Sequence, residues 1–337
     1  MKVLKFGGTS VGSAQRMKEV AKLITDGEQK IVVLSAMSGT TNTLVEISDY
    51  LYKKNPEGAN EIINRLEAKY KQHVNELYST DEYKQKTQEF IKAQFDYIRS
   101  YTKDIFTLFE EKVILAQGEL ISTNMVTNYL QEQGVNAILL PALEFMRTDK
   151  NSEPDPVYIK EKLAAQLEIH PDAEIYITQG FICRNAYGEI DNLQRGGSDY
   201  TASLIGAAVN ASEIQIWTDI DGMHDNDPRI VDKTSPVRHL HFEEAAELAY
   251  FGAKILHPTC VQPAKYANIP VRLLNTMEPT APGTLISNDT EKGKIKAVAA
   301  KDNITAIKIK SSRMSLAHGF LRKVFEIFES YQTSIDM

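Results

Sequence analysis

The feature that most constrains the fold of this chain is a recurring order of strand, small-residue loop and helix. Lys2–Phe6 is a predicted strand that leads into the glycine turn Gly7–Ser10, and Ser13 is a suitable cap for the helix that follows. The β-branched run Ile31–Leu34 is typical of a buried strand, and it opens into the loop Ser35–Asn42. This order is typical of a parallel sheet covered by helices, so the sequence predicts an α/β fold.

The same order returns later in the chain. Short apolar runs predict further strands at Ala137–Leu140, Glu174–Ile177, Ile214–Trp217 and Val271–Leu274. The run Val113–Ala116 is also predicted as a strand, ahead of a helix that reaches about residue 132.

Residues 58–110 interrupt this order. Apolar residues recur there at helical spacing in two groups, from Ile62 to Leu77 and from Phe90 to Leu108. The sequence therefore predicts two long amphipathic helices, which form an insertion packed on one edge of the domain.

Composition narrows the function classes. With 337 residues, of which 42% are hydrophobic, the chain is long enough for a large α/β domain and a smaller second module. A net charge of −7 without a basic stripe argues against a nucleic-acid partner. No apolar run approaches the ~20 residues that a membrane span needs. The two cysteines form neither a disulfide framework nor a metal-ligand spacing. We therefore expect a cytoplasmic protein without a membrane partner or a resident metal site.

The first candidate site is the segment Lys5-Phe6-Gly7-Gly8. Its glycines let backbone N–H groups approach a phosphate, and the helix that follows presents its N-terminus to an anion. Lys5 adds a positive charge, although a lysine ahead of the glycines is not the arrangement of a Walker A loop. The alternative interpretation is a tight turn with a solvated lysine.

The second candidate site is Arg195-Gly196-Gly197-Ser198-Asp199. Two glycines between an arginine and the start of a helix make a further anion-binding turn, and an arginine can grip a carboxylate through two parallel hydrogen bonds. Asp199 can hold a cation such as a lysine. The alternative interpretation is a capped helix with a surface arginine.

Further polar residues stand where α/β proteins bind ligands. Thr218 and Asp219 follow a predicted strand, although a plain Asp-Gly turn explains the same segment. Lys254 lies between a glycine and an apolar run and can point into a cleft. Glu119 is predicted to open a helix after a strand, where an acidic residue also suits the helix dipole. As a set, the candidate segments suit phosphoryl transfer, in which catalysis is mostly positioning and charge neutralisation.

These segments resemble the aspartate kinases. The resemblance is carried, in the order of that family, by KFGGTSVG (5–12), SAMSGTTN (35–42), QGE (117–119), QGFI (179–182), RGGSDYTA (195–202), WTDIDG (217–222), DPRIV (227–231) and FGAKILHP (251–258). As a set they are far more specific than a single glycine motif, and they span residues 1 to about 290.

The resemblance implies the amino acid kinase fold over residues 1–295, a three-layer αβα sandwich around a mainly parallel sheet. It implies an enzyme that uses Mg-ATP to phosphorylate the β-carboxylate of L-aspartate, the first step in making lysine, threonine and methionine. A homodimer is the expected assembly. Residues 296–337 resemble an incomplete ACT regulatory region, with a predicted strand at Ile304–Ile309, a helix from Gly319 to about Tyr331 and a strand beginning at Thr333.

Roles of single residues follow from the resemblance by position. Lys5 and Asp199 match catalytic positions, with Asp199 organising the catalytic lysines. The positions that match aspartate-binding residues are Thr41, Glu119, Arg195, Gly196 and Ser198. The positions that match nucleotide-contacting residues are Lys5, Gly7, Gly8, Thr218, Asp219, His224, Arg229, Lys254 and Ile255. His224 falls where many relatives carry tyrosine.

Three alternatives stay open. The first is another amino acid kinase, acting on glutamate, acetylglutamate, carbamate or a nucleoside monophosphate, although segment 195–199 with Glu119 favours aspartate. The second is a non-catalytic amino-acid sensor that uses the ACT-like tail, although Lys5, Asp199 and Lys254 favour a catalyst. The third is a fragment of a longer or bifunctional enzyme.

Overall fold

The computed structural model describes residues 1–103, 105–193, 196–227, 230–251, 256–289, 295–300, 304–310, 318–333 and 335. The chain forms two compact units, Met1–Ala300 and Lys301–Met337. All of the candidate sites lie in the first unit.

The first unit is built on a sheet of eight strands. The strands of the unit are β1 (Lys2–Phe6), β2 (Lys30–Leu34), β3 (Ala137–Leu140), β4 (Ile175–Gln179), β5 (Ile182–Arg184), β6 (Ile190–Asn192), β7 (Ile214–Thr218), β8 (His239–His241), β9 (Val271–Asn275) and β10 (Thr284–Ser287). The sheet order is β3-β4-β2-β1-β7-β9-β10-β8, and every pair from β3 to β9 is parallel. β10 is antiparallel to β9, and β5 and β6 form a separate hairpin.

Helices cover both faces of this sheet. The α-helices of the chain are α1 (Ala14–Ile24), α2 (Thr40–Tyr52), α3 (Pro56–Leu77), α4 (Asp81–Ser100), α5 (Leu108–Glu132), α6 (Ala142–Phe145), α7 (Pro156–Ile169), α8 (Gly197–Ala208), α9 (Phe242–Tyr250), α10 (Gln262–Tyr266) and α11 (Phe320–Ser330). Leu4 and Phe6 join a core with α1 to α5, whereas Val3 joins a core with α6 to α10. Successive strand residues point to opposite faces, so β1 contributes to both cores. The expected three-layer αβα sandwich is confirmed.

The two long helices predicted within residues 58–110 are α3 and α4. Their buried faces carry Ile62, Tyr70 and Ile98, at the spacing that predicted them, whereas Tyr97 of the same predicted apolar group is 46% exposed. The second helix ends at Ser100 rather than near Leu108, which is exposed and begins α5.

The predicted strand at Val113–Ala116 is wrong. These residues lie inside α5, which begins behind a reciprocal cap between Thr107 and Glu110. The middle of α5 is buried on several sides, so its sequence lacks the one-sided spacing that identifies a surface helix. Glu119 consequently lies in the middle of a buried helix and not, as predicted, in a first turn.

The sequence patterns do not predict β5, β6, β8 or β10. Each of these strands has only three or four residues, which is too short for an alternation to be recognised. The antiparallel edge of the sheet is therefore visible only in the structure.

In the second unit, the predicted helix from Gly319 is confirmed as α11, which begins at Phe320. The predicted strand at Ile304–Ile309 is wrong, because the described residues 304–310 are irregular and exposed. Most of the strand predicted to begin at Thr333 lies outside the described residues, and Thr333 itself is not in a strand. Its N–H donates to the Phe328 carbonyl oxygen at 2.9 Å and so closes the end of α11.

Among the described residues, no helix combines the length and the apolar character that crossing a membrane requires.

Gly118→Ala is expected to destabilise the protein, although alanine is favoured over glycine in helices by about 1 kcal/mol. A Cβ at Gly118 would lie 2.7 Å from the Ala36 Cβ and 3.3 Å from the Thr40 Cγ2. Such overpacking costs roughly 1–3 kcal/mol, which urea unfolding can measure. Ala36→Gly removes the closest atom, so the double variant should be more stable than the sum of the two single changes predicts. Strict additivity of the two changes would contradict this account.

Candidate active site

A cavity of about 510 Å³ opens at the carboxyl ends of three neighbouring strands. β1, β2 and β4 run in parallel side by side, so the residues that follow them meet at one edge of the sheet. The cavity is lined by Lys5 at the end of β1, Ser35 after β2 and Phe181 after β4. Glu119 from α5 and Ser198 from α8 complete its wall.

The predicted glycine turn packs directly against the loop that follows β2. The Gly8 carbonyl oxygen accepts a hydrogen bond from the Ser38 N–H at 3.1 Å. A Cβ at Gly8 would lie 2.8 Å from the Ala36 carbonyl oxygen, so only glycine allows this approach. Gly7 donates its N–H to the Trp217 carbonyl oxygen at 3.4 Å, which ties the turn to β7.

Lys5 and Asp199, the two predicted catalytic residues, form an ion pair in the cavity. The Lys5 Nζ lies 2.7 Å from the Asp199 Oδ1, and the two side chains are only 11% and 13% exposed. Neither charge is stable when buried alone, so each requires the other in the resting site. The pair therefore keeps a charged lysine beside the glycine turn, where a phosphate oxygen can engage it.

Glu119 is buried with one carboxylate oxygen in use. Its Oε1 accepts a hydrogen bond from the Ala36 N–H at 3.1 Å, whereas Oε2 has no hydrogen-bond partner among the described residues. Burial raises the pKa of Glu119 to about 8, and the hydrogen bond from Ala36 offsets this only in part. The cavity therefore contains a carboxyl group that a ligand cation would ionise.

The start of α8 offers backbone N–H groups to the cavity. Its N-cap residue, Gly196, has a left-handed φ of +75°. Among the described residues, no N-cap side chain accepts a hydrogen bond from the first-turn N–H groups. First-turn N–H groups without a cap favour an anion. The Ser198 hydroxyl accepts a hydrogen bond from the Ser35 Oγ at 3.0 Å, and Ser122 donates to the Ser35 carbonyl oxygen at 2.8 Å. This chain of serines sets the position of the first turn relative to β2.

Thr41 lines the cavity from the first turn of α2. The hydroxyl of its neighbour Thr40 is buried and lies 2.9 Å from the Tyr70 hydroxyl, which anchors the start of α2 to α3. Of these two threonines, Thr41 lines the cavity, and it is the one that matches an aspartate-binding position in the sequence.

Thr218, Asp219 and His224 do not line this cavity. They belong to the end of β7 and the loop that follows it, and β7 lies beside β1 on the side away from β2. The Thr218 Oγ1 accepts a hydrogen bond from the Ile220 N–H at 3.2 Å, and the His224 Nδ1 lies 2.8 Å from the Thr234 Oγ1. Asp219 is exposed. Thr218 ends β7 at the same edge of the sheet as the glycine turn, which is tied to β7 by the hydrogen bond from Gly7 to Trp217.

Four predicted site residues lie outside the described residues: Arg195, Arg229, Lys254 and Ile255.

The structure also identifies residues to which the sequence analysis assigns no role. Ser35 and Phe181 line the cavity, and each follows the end of a parallel strand closely, which is the signal that could have found them. Asp221 accepts hydrogen bonds from Arg238 at 3.0 and 3.1 Å, and from the Gly283 N–H at 3.1 Å. This clamp holds the loop after β7 against the start of β10, and nothing in the local sequence pairs its members.

Known proteins resemble this chain along almost its whole length. The profile of the amino acid kinase family matches residues 1–275. Aspartokinase 1, chloroplastic, from Arabidopsis thaliana is 37% identical over 353 residues, which cover 99% of this chain and 61% of that relative. Lysine-sensitive aspartokinase 3 from Escherichia coli (strain K12) is 34% identical over 340 residues, which cover 99% of this chain and 75% of that relative.

A solved structure agrees with these matches. The crystal structure of E. coli aspartokinase III in complex with aspartate and ADP (R-state) has a TM-score of 0.84 at 32% identity, covering 100% of this chain and 76% of that chain. The chain spans between 61% and 63% of the length of its three chloroplast relatives from Arabidopsis. The shared part contains the whole cavity.

Glu119→Gln is expected to stabilise the protein at neutral pH. The pKa of the Glu119 carboxyl is 4.5 in the unfolded chain and about 8 in the folded protein. Between these pH values, the folded state therefore keeps a proton that the unfolded state has lost. Stability therefore falls as pH rises through this window, by up to roughly 3 kcal/mol at pH 7. Glutamine has no such penalty, so urea unfolding should show a gain at pH 7.5 that shrinks toward pH 5.

A matched control on α3 should change stability in the opposite direction. Burial also disfavours the Glu67 carboxylate, but hydrogen bonds from Arg99 and Lys71 outweigh it and lower the pKa of Glu67. Glu67→Gln should therefore destabilise the protein at pH 7.5. A loss of stability in both variants would show that the Glu119 carboxylate is not penalised by its burial.

Proposed function

The chain belongs to the amino acid kinase family and, within it, to the aspartokinases, and from this premise we propose that it transfers the γ-phosphoryl group of ATP to the β-carboxylate of L-aspartate. One observation carries the proposal. A single cavity at the carboxyl edge of the sheet holds the Lys5–Asp199 pair, the buried Glu119 and the uncapped start of α8.

The charges of the cavity complement an amino acid. Glu119 accepts the α-ammonium group through Oε2, which has no partner among the described residues. The cation stabilises the ionised carboxyl, so aspartate binding releases the proton that burial retains. The first turn of α8 with Ser198, together with Arg195, receives the α-carboxylate. Thr41 lies on the remaining wall.

The reaction needs no general base. The side chain of free aspartate has a pKa near ~3.9, so the nucleophile is already ionised at neutral pH. The obstacle is repulsion between this carboxylate and the triphosphate. Lys5 reduces the repulsion by binding the transferred phosphoryl group, while Asp199 holds the Lys5 side chain in place. Gly7 and Gly8 keep the backbone close enough to reach the phosphate oxygens.

The amino-acid cavity lies at the ends of β1, β2 and β4, and β7 is the other neighbour of β1. We therefore infer that the nucleotide extends from the glycine turn toward β7. We assign its contacts to Thr218, Asp219 and His224. Arg229, Lys254 and Ile255 are assigned by their positions in the matching motifs.

When Mg-ATP is bound, Mg²⁺ would neutralise charge at the phosphoryl oxygens, and one or two protein carboxylates would suffice to hold it beside the phosphates. The exposed carboxylate of Asp219, directly after β7, suits that role.

The proposal extends to the place of the protein in metabolism. Phosphorylated aspartate opens the biosynthesis of lysine, threonine and methionine. Residues 296–337 would form part of an ACT-like regulatory region and the protein would act as a homodimer, in keeping with the family resemblance.

A panel of acceptors tests the reaction directly. The protein is incubated with Mg-ATP and aspartate, glutamate or N-acetylglutamate, and any acyl phosphate is trapped with hydroxylamine. We expect hydroxamate chiefly with aspartate, because the extra methylene of glutamate costs about 1–3 kcal/mol and N-acetylglutamate lacks the α-ammonium group that we assign to Glu119. More hydroxamate with a different acceptor than with aspartate would retain the phosphate chemistry and overturn the assignment of the amino-acid site. Measurable ATP binding without hydroxamate from any acceptor would favour a sensor.

Lys5→Ala is expected to lower kcat by about 10²–10³-fold, the usual loss for a group that stabilises transition-state charge. ATP binding should weaken much less, because the other nucleotide contacts remain. Initial rates and equilibrium ATP binding separate the two effects. The control is Lys2→Ala on the same strand, whose side chain is 39% exposed and pairs with Glu28 at 2.8 Å. Near-normal turnover of Lys5→Ala would exclude Lys5 from the reaction.

A further inference from the structure

A turn with a left-handed residue separates β4 from β5. Phe181 has a φ of +68°, a conformation that residues with side chains rarely adopt. The Ile182 N–H donates to the Gly180 carbonyl oxygen at 2.7 Å, so these three residues form a γ-turn. Such a conformation persists only where the surrounding structure holds it.

This turn packs against the start of α8 with almost no space between them. A Cβ at Gly180 would lie 2.5 Å from the Ser198 Oγ, and a Cβ at Gly197 would lie 2.7 Å from the Phe181 Cδ2. Phe181, Gly197 and Ser198 all line the cavity. A shift of the turn relative to α8 therefore changes the shape of the cavity on two sides.

The hydroxyl of Thr201 connects the two elements. Thr201 is fully buried in the second turn of α8. Its Oγ1 accepts a hydrogen bond from the Phe181 N–H at 3.1 Å and donates one to the Gly197 carbonyl oxygen at 2.8 Å. The hydroxyl thus acts as donor and acceptor at once, which an apolar side chain of the same shape cannot do.

We infer that Thr201 is a positioning residue of the aspartate site, whose hydroxyl holds the Gly180–Ile182 turn on the first turn of α8. It acts through Phe181 and Ser198, since Thr201 itself does not line the cavity. The inference rests on the proposed function, which names the ligand of that cavity.

Two substitutions separate the hydrogen bonds from the shape of the side chain. Thr201→Val keeps the shape and removes both hydrogen bonds, whereas Thr201→Ser keeps the hydroxyl. We expect Thr201→Val to raise the KM for aspartate about tenfold, with the KM for ATP and kcat changed by less than about threefold. Thr201→Ser should return the KM for aspartate to within about twofold of the wild-type value.

The matched control is Ser203→Ala. Ser203 is buried on the same helix, and its Oγ has no hydrogen-bond partner among the described residues. Its removal should leave all three kinetic constants unchanged. An unchanged KM for aspartate in Thr201→Val, or an equal rise in Thr201→Ser, overturns the inference.

A second pair keeps the test decisive if Thr201→Val does not fold. Thr201→Cys is close to Thr201→Ser in size, but its thiol is a weak acceptor and donor. A higher KM for aspartate with cysteine than with serine supports the inference, and equal values overturn it.

Hydrogen exchange of the Phe181 amide provides a readout that does not depend on activity. We expect exchange to be at least about tenfold faster in Thr201→Val than in Thr201→Ser and the wild type, and equal rates overturn the inference. If the wild type does not phosphorylate aspartate, the proposed function fails. The exchange rates still decide whether the Thr201 hydroxyl holds the turn.

Discussion

The parallel pairing of β1 with β2 and β7 is the constraint on which the site depends. Lys5 lies opposite Val33 in β2 and opposite Ile216 in β7, so the three strands end together. Because they run in the same direction, the glycine turn, the serine-rich loop and Thr218 emerge at one edge of the sheet. Residues of α5 and α8 complete the wall of the cavity, and we propose that the nucleotide binds on the β7 side.

Burial of charged side chains determines both how this site can bind ligands and how much folding stability it loses. The Lys5–Asp199 pair is mostly withdrawn from water, yet each partner neutralises the other. Glu119 lacks such a partner among the described residues, and its burial disfavours the ionised form. A ligand that carries an ammonium group removes this penalty. On the proposed function, the buried carboxylate lowers the folding stability of the empty site, and binding of the ammonium group restores it.

How much of the molecule could be predicted depended on how far each signal reaches along the chain. Local sequence is enough to predict β1, β2 and the amphipathic helices α3 and α4, because the spacing of apolar residues and the composition both change at their ends. The helix predicted to about residue 132 is confirmed as the second half of α5, but the strand predicted at Val113–Ala116 is wrong, because a helix buried on several sides carries no amphipathic spacing. The short strands β8, at one edge of the sheet, and β10, beside it, exist only because neighbouring strands supply hydrogen-bond partners. The segment 304–310 has the composition of a strand, but the structure pairs it with no other strand within the described residues.

The sequence by itself determined the α/β class, the glycine turns and the residue types needed for phosphoryl transfer, since each of these is a local property. Only the tertiary structure decided which of those residues meet. Lys5 and Asp199, Ser35 and Ser198, and Phe181 and Thr201 contact each other across intervening strands and helices. No local pattern encodes such pairs, because they result from strand order and from helices packing on both faces of the sheet. Burial, which sets the pKa of Glu119, is likewise a property of the assembled core and not of the residue.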